Sequence, residues 1–221
     1  MFNYFEHVVI KQILGSDYLK KLNSIWNFYA PIYNLFMHFN KKAYAKMNAN
    51  IRKIIKDKTV LEIATGTGLI ANNVADSAKK MTATDFAEKM IKEAQKANNN
   101  SNLTFQLEDA TNLTFQDQSF DVVIISNALH VIPAPEKALA EIKRVLAPDG
   151  ILIAPNFVHE NLSGTSKFMS KLLNAAGIAF EAKWDFNGYV KFLHDNGFDV
   201  KKKTLIKAMI PLAYTECLLI S

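Results

Sequence analysis

Apolar and polar positions change their rhythm twice along this chain. Up to about residue 56 the apolar residues fall at helical steps: Phe2, Phe5, Val9 and Ile13 recur every three or four residues and so share one helical face. A second stretch, Leu19 to Phe39, is dense in aromatics (Trp26, Phe28, Tyr29, Tyr33, Phe36 and Phe39) and is interrupted at Pro31; a third runs from Lys41 to Lys56. From residue 58 short apolar runs alternate with helical patterns. Thr59–Ile63 reads as a buried strand ending in the turn Thr65-Gly66-Thr67-Gly68, followed by a helix over Leu69–Ala78. Met81–Thr84 is a second strand, ending at Asp85, with a helix over Ala87–Ala97 behind it. Leu103–Leu107 is a third strand and Phe120–Ile125 a fourth, the latter followed by a helix over Glu136–Leu146. The turn Ala147-Pro148-Asp149-Gly150 then leads to a fifth strand, Ile151–Ala154.

Strands that alternate with helices of about ten residues imply crossover units and a mainly parallel sheet. The last third breaks that pattern. Helical pieces over 163–176 and 185–195 precede two strands, Phe198–Lys207 and Met209–Ile220, which lie too close in sequence for a crossover helix and are expected to form an antiparallel pair at the sheet edge. The predicted fold is therefore α/β, a seven-stranded, mostly parallel sheet with its last strand antiparallel and helices on both faces. A helical cap over residues 1–56 precedes a sheet domain over 57–221.

Composition narrows the class without choosing a function. A chain of 221 residues, 49% hydrophobic and 21% charged, is long enough for a sizeable core and too apolar for extensive disorder. Its formal charge of +5 permits an anionic partner, but the lysines are scattered and the densest run is only Lys201-Lys202-Lys203. A solvated strand end is the simpler reading of that run, so no nucleic-acid partner is expected. The single cysteine, Cys217, excludes an internal disulfide and any cysteine-based zinc cluster, and no metal site is expected. Without a run of about 20 apolar residues no stable membrane insertion is expected. Met1–Leu14 is a poor signal peptide, and a cytoplasmic location is the simplest.

Two carboxylates and a glycine turn carry the chemical argument. Gly66 and Gly68 stand where a strand turns into a helix, where a missing Cβ lets the backbone approach a ligand and the helix start attracts an anionic group. Asp85 lies at the tip of the next strand, where a carboxylate can accept both hydroxyls of a ribose; it also precedes a helix and suits an N-cap, and the two roles are compatible. Glu108-Asp109-Ala110 follows the third strand. There an acid beside a backbone N–H offers the acceptor and donor that an adenine edge needs.

Val60-Leu61-Glu62-Ile63-Ala64-Thr65-Gly66-Thr67-Gly68 resembles the first motif of the class I S-adenosylmethionine-dependent methyltransferases. Asp85, Asp109-Ala110, Phe120-Asp121-Val122-Val123 and Arg144-Val145-Leu146-Ala147-Pro148-Asp149-Gly150 resemble the later motifs in order and spacing. The resemblance runs from about residue 58 to 155 and is nearest to the methyltransferase type 11, ubiquinone/menaquinone-biosynthesis-like group. It implies a Rossmann-like sheet, S-adenosyl-L-methionine as cofactor, and methylation of a small-molecule acceptor, apolar or lipid-like groups among the options. By the same resemblance the Ala64, Gly66 and Gly68 turn would hold the methionine part, with Glu62 bracing the loop or reaching the amino group through water. Asp85 would take the ribose, Phe86 would flank the adenine, and Asp109 with the Ala110 N–H would read its edge. Asn127 would line the pocket near the sulfonium, and Tyr33 would reach the cofactor from the cap. Two positions near the cofactor depart from the family's pattern: Ala64 replaces the first glycine of the turn, and Asn34 stands where aspartate is common; farther on, Asp149 replaces a common glycine in a turn.

His130, in Ser126-Asn127-Ala128-Leu129-His130, is the leading candidate for a general base, against the alternative of a histidine that only packs or hydrogen-bonds in its loop. His159 is a weaker candidate. Two rival functions stay open on the sequence: a NAD(P)-dependent oxidoreductase, since Gly66-x-Gly68-x-x-Ala71 also fits a dinucleotide fingerprint, and a non-catalytic binder of S-adenosylmethionine.

Overall fold

A computed structural model describes residues 23–31, 33, 34, 37, 40–159, 182–208 and 210–220. The helical face of Phe2 to Ile13, the helix over 163–176, and Phe36 and Phe39 lie outside the described residues. Eight strands form one sheet: β1 Thr59–Ile63, β2 Lys80–Asp85, β3 Leu103–Leu107, β4 Phe120–Ile125, β5 Leu146–Ile153, β6 Asn156–Phe157, β7 Phe198–Ile206 and β8 Leu212–Leu219. Their spatial order is β3-β2-β1-β4-β5-β8-β6, with β7 also paired to β8. β1 to β5 run parallel, and β8 is antiparallel to β5, β6 and β7.

Strand alternation divides the core between the two faces of the sheet. Leu61, Ile63, Val123 and Ile125 point to one side, where they meet Ala138, Leu139 and Ile142 of the helix Pro135–Val145 and Tyr189 and Leu193 of the helix Phe186–Asp195. Val60, Val122, Ile124 and Ile153 point to the other and pack on Ile70, Ala71 and Val74 and on Met47 and Ile51 of the helix Lys41–Ile54. Central strands covered on both faces read as continuous apolar runs, as these do. Met47 and Ile51, in the helix that precedes β1, are wholly buried in the core of the sheet.

Two side chains explain residues the sequence motifs share. Asp121 Oδ2 accepts the Thr59 N–H at 2.8 Å and ties the starts of β1 and β4 together. Arg144 donates to the carbonyls of Leu113 and Phe115 and to Glu141 and Asp117, and so fastens the chain that leads into β4.

Several expected boundaries shift. The helix expected over Leu69–Ala78 is a short α-helix, Ala71–Val74, that tightens into a 3₁₀ turn at Ala75–Ser77. The turn expected at Ala147–Gly150 lies inside β5, which begins at Leu146. Phe120 pairs with Leu146 but Val122 with Ile151, so the extra residues bulge out of the ladder without ending the strand. The eighth strand, β6, has two residues, too few to show any periodicity.

Candidate active site

The bend after β1 is built around Asp85. From the tip of β2 its Oδ2 accepts the Gly66 N–H at 2.8 Å and its Oδ1 accepts the Ala87 N–H at 2.9 Å. One carboxylate thus pins the glycine turn and starts the next helix, while each oxygen keeps a second lone-pair direction. Burial pushes the Asp85 carboxyl up to about 6, against the lowering effect of the Ala87, Gly66 and Phe86 amides.

The two glycines of the bend do different work. Gly66, at φ +58°, faces the cavity; a Cβ there would meet only Tyr33 Cε1, at 3.8 Å. Gly68, at φ +75°, does not line the cavity. A Cβ there would sit 2.6 Å from Asn72 Nδ2 and 3.0 Å from Ala94 Cβ. Gly68 lets two helices approach the bend, which corrects its expected place beside the cofactor. Ala64 also adopts a left-handed conformation, at φ +54°. The methyl group at this position is strained, and that strain is the physical content of the departure from glycine.

Around this bend a cavity gathers residues from six segments. The segment before the helix Lys41–Ile54 contributes Trp26 and Tyr33, that helix contributes Tyr44, and the tips of β1 to β4 contribute Glu62, Ala64, Gly66, Asp85, Phe86, Asp109, Ala110 and Asn127. Of the expected site residues Gly68, His130 and the weaker candidate His159 lie outside its lining. Trp26 and Tyr33 meet edge-on with ring centroids 6.2 Å apart and pack with Phe86 over Met90. Asn34, the other departure, accepts the Thr67 hydroxyl. Its amide carbonyl supplies the acceptor that an aspartate would. Asp109 is exposed, and its Oδ1 accepts both the N–H and the hydroxyl of Thr111 at 2.8 Å, which fixes its direction. Glu108, by contrast, is engaged by Gln106 and Thr114.

Two buried acceptor oxygens in the cavity wall, Glu62 Oε2 and Asn127 Oδ1, have no hydrogen-bond partner among the described residues, and the Thr65 hydroxyl oxygen beside them has none either. Burial raises the Glu62 carboxyl to about 8, opposed by the Thr65 hydroxyl and the Ala71 amide. Buried acceptors without partners are costly, so both call for a ligand that brings donors. Tyr44, which donor–acceptor reasoning from sequence alone missed, lies beside them: its hydroxyl accepts from Asn127 Nδ2 at 2.9 Å. It sits in a lysine- and alanine-rich helix, and nothing in its local spacing marks it out.

His130 does not fit the role of a general base. It is buried, its Nδ1 lies 2.8 Å from Asn156 Oδ1, its ring packs edge-on against Phe157, and it does not line the cavity. Burial lowers its pKa to about 4. The structure makes it a core histidine that joins the end of β4 to β6. Among the described residues no group of His, Cys, Asp or Glu is placed to hold a metal ion, and no helix is long and apolar enough to cross a membrane.

Residues 61–154 match the family model described as a methyltransferase domain. Over that stretch, less than half of its length, the chain is similar to the class I S-adenosylmethionine-dependent methyltransferases. It is 38% identical over 105 residues to a demethylmenaquinone methyltransferase of Renibacterium salmoninarum, covering 48% of this chain and 44% of that protein. It is 32% identical over 161 residues to a ubiquinone/menaquinone biosynthesis C-methyltransferase of Rickettsia bellii, covering 66% and 64%. The chain thus spans less than two thirds of either relative's length. A solved S-adenosylmethionine-dependent methyltransferase from Aquifex aeolicus shares the fold with a TM-score of 0.63 at 18% identity, over 79% of this chain and 89% of that one.

Proposed function

We propose that this protein transfers a methyl group from S-adenosyl-L-methionine to a small-molecule acceptor, and that the cavity between the cap and the strand tips is its active site. The observation that carries the reading is the Asp85 carboxylate, which braces the Gly66 amide at the bend while facing a cavity lined by unpartnered Glu62 Oε2 and Asn127 Oδ1. The residues fit an adenosyl sulfonium compound. Asp85 has lone pairs left for ribose hydroxyls, and Asp109 with Ala110 offers an acceptor and a donor for the adenine edge. Phe86 presents a flat apolar wall, and the carbonyl and carboxylate oxygens suit an amino group. When bound, the cofactor supplies a methyl group already activated by its positive sulfur. The chain's part is to align the acceptor and keep water out. Trp26, Tyr33 and Tyr44 roof the cavity from the helical segment before β1, which on this reading acts as the cap.

A cytoplasmic location and an acceptor other than nucleic acid belong to the same reading, supported by lysines scattered along the chain without a continuous track. Calorimetry with S-adenosylmethionine, its demethylated product S-adenosylhomocysteine, NAD and NADP tests it. Binding of the two adenosyl sulfur compounds is the expected outcome. Binding of a nicotinamide cofactor alone would overturn the proposal. Turnover on a panel of phenol, thiol, amine and quinone-type acceptors then separates an enzyme from a binder.

A further inference from the structure

Lysines occur throughout the chain, but its net charge does not. Residues 41–58 hold seven basic side chains and one acid, Asp57, whereas the rest of the chain carries 19 basic and 20 acidic residues. The net charge of +5 therefore resides in these 18 residues. No basic run among them is longer than two, so a search for charge runs passes over them. Helical periodicity assembles the cluster. In the helix Lys41–Ile54 the row Ala43, Met47 and Ile51 is buried against the sheet. Lys41, Lys42, Lys46 and Lys53 are exposed, as is Lys56 just past the helix end. Arg52 is tied to Asp76 at 2.6 Å, but among the described residues none of the five lysines makes an ion pair. The exposed residues between them, Ala45 and Ala49, are small. The result is a cationic face about 20 Å long, with no aromatic ring and no large apolar side chain among its exposed residues.

We propose that this face docks the protein on an anionic lipid bilayer, held by charge alone. A specific protein partner needs apolar or aromatic anchors that exclude water, and single-stranded nucleic acid needs rings on which its bases stack. The face supplies neither. A bilayer with acidic headgroups asks only for cations that reach one plane, and lysines along one side of a short helix meet that requirement. Insertion is closed to this helix, because its apolar row already lies in the core of the sheet. Tyr44 reaches the cavity from the other side of the same helix, so docking brings the cavity wall within about one helix diameter, about 10 Å, of the headgroups. The proposal stands independently of the reaction proposed above.

Vesicle sedimentation tests it. Vesicles of phosphatidylcholine with about 30% phosphatidylglycerol should bind the protein at low salt, and pure phosphatidylcholine vesicles should not. Raising the salt to about 0.5 M should release it, since screening then acts within a few ångströms. Each lysine near an acidic surface is worth about fivefold in partitioning, so the triple variant Lys42→Gln, Lys46→Gln, Lys53→Gln should bind about a hundredfold less. A control, Lys137→Gln, Lys143→Gln, Lys191→Gln, removes the same charge from exposed positions on the helices that cover the opposite face of the sheet. It should change binding by less than about threefold, the remainder left to long-range charge. Equal losses in the two triple variants would reduce the effect to net charge and overturn the proposal. Binding that survives high salt, or that ignores phosphatidylglycerol, would overturn it too. So would binding of an RNA duplex through the same lysines by a protein that leaves the vesicles alone. If the first triple variant fails to fold, Lys53→Gln with Lys56→Gln should lose about 25-fold, and a loss below about threefold there sinks the proposal.

Discussion

The bends after β1 and after β4 are neighbours at the same end of the sheet, and each opens with a left-handed residue, Ala64 at φ +54° and Asn127 at φ +53°. They nevertheless end differently. After β1 the chain lays Gly66 along the cavity, and the Asp85 carboxylate holds the Gly66 amide from the next strand. After β4 Ser126, Asn127 and Ala128 face the cavity, and Val131, Ile132 and Pro133 return to it, but between them His130 is buried against Asn156 and Phe157. Standing at a strand tip thus brings a residue near the site without placing it in the site. What decides is whether its polar atoms find partners in the core, as His130 does, or are left facing the cavity, as Glu62 Oε2 and Asn127 Oδ1 are.

The contrast can be attacked first at Asp85. Replacing it with alanine should weaken S-adenosylhomocysteine binding by about 1–3 kcal/mol, roughly five- to 150-fold, as charge-assisted hydrogen bonds are lost and the Gly66 amide is freed. Unchanged affinity in a folded Asp85→Ala protein, measured by calorimetry, would mean that the β1–β2 tips do not hold the ribose.

A pH scan tests the same tips through stability. Burial lifts the Asp85 carboxyl to about 6 and Glu62 to about 8, so the folded chain holds these protons more tightly than the unfolded chain. Their contribution is fully present below the ordinary carboxylate range and is lost as pH rises through about 6 for Asp85 and about 8 for Glu62. Melting temperature without ligand should fall across that window, by about 2–4 °C for each kcal/mol lost. In Glu62→Gln the upper part of the fall should disappear. A flat profile in the wild type would contradict the burial of both groups.

A smaller effect is expected at the left-handed residues themselves. Ala64→Gly relieves a methyl group at positive φ and should stabilise the fold by about 0.5–1 kcal/mol, after allowance for the greater freedom of glycine in the unfolded chain. A lowered melting temperature would show that the Ala64 methyl contributes more by packing than it costs in strain.

The smallest change is expected where a catalytic residue was first sought. His130→Gln keeps a hydrogen-bonding side chain toward Asn156 and should leave the turnover of folded protein within about threefold. A loss of about 10²–10⁴ would restore His130 as a general base.

What the sequence determined by itself was the layered architecture and the carboxylates and glycines of the first bends. Strand alternation, crossover helices, the glycine turn and the acid at the tip of β2 are local or nearly local patterns, and each constrains the backbone within a few residues of where it is written. The antiparallel pairing of β7 and β8 was legible for the same reason, since a short connection leaves no room for a crossover. Only the tertiary structure decided which side chains at the strand tips turn toward the cavity. Tyr44 meets Asn127 across 83 residues of chain, Asn156 draws His130 inward across 26, and Gly68 proves to be a packing glycine only when Asn72 and Ala94 are beside it. Each of these depends on which buried polar atom or Cβ finds a neighbour once distant segments meet, and no periodicity along the chain encodes that.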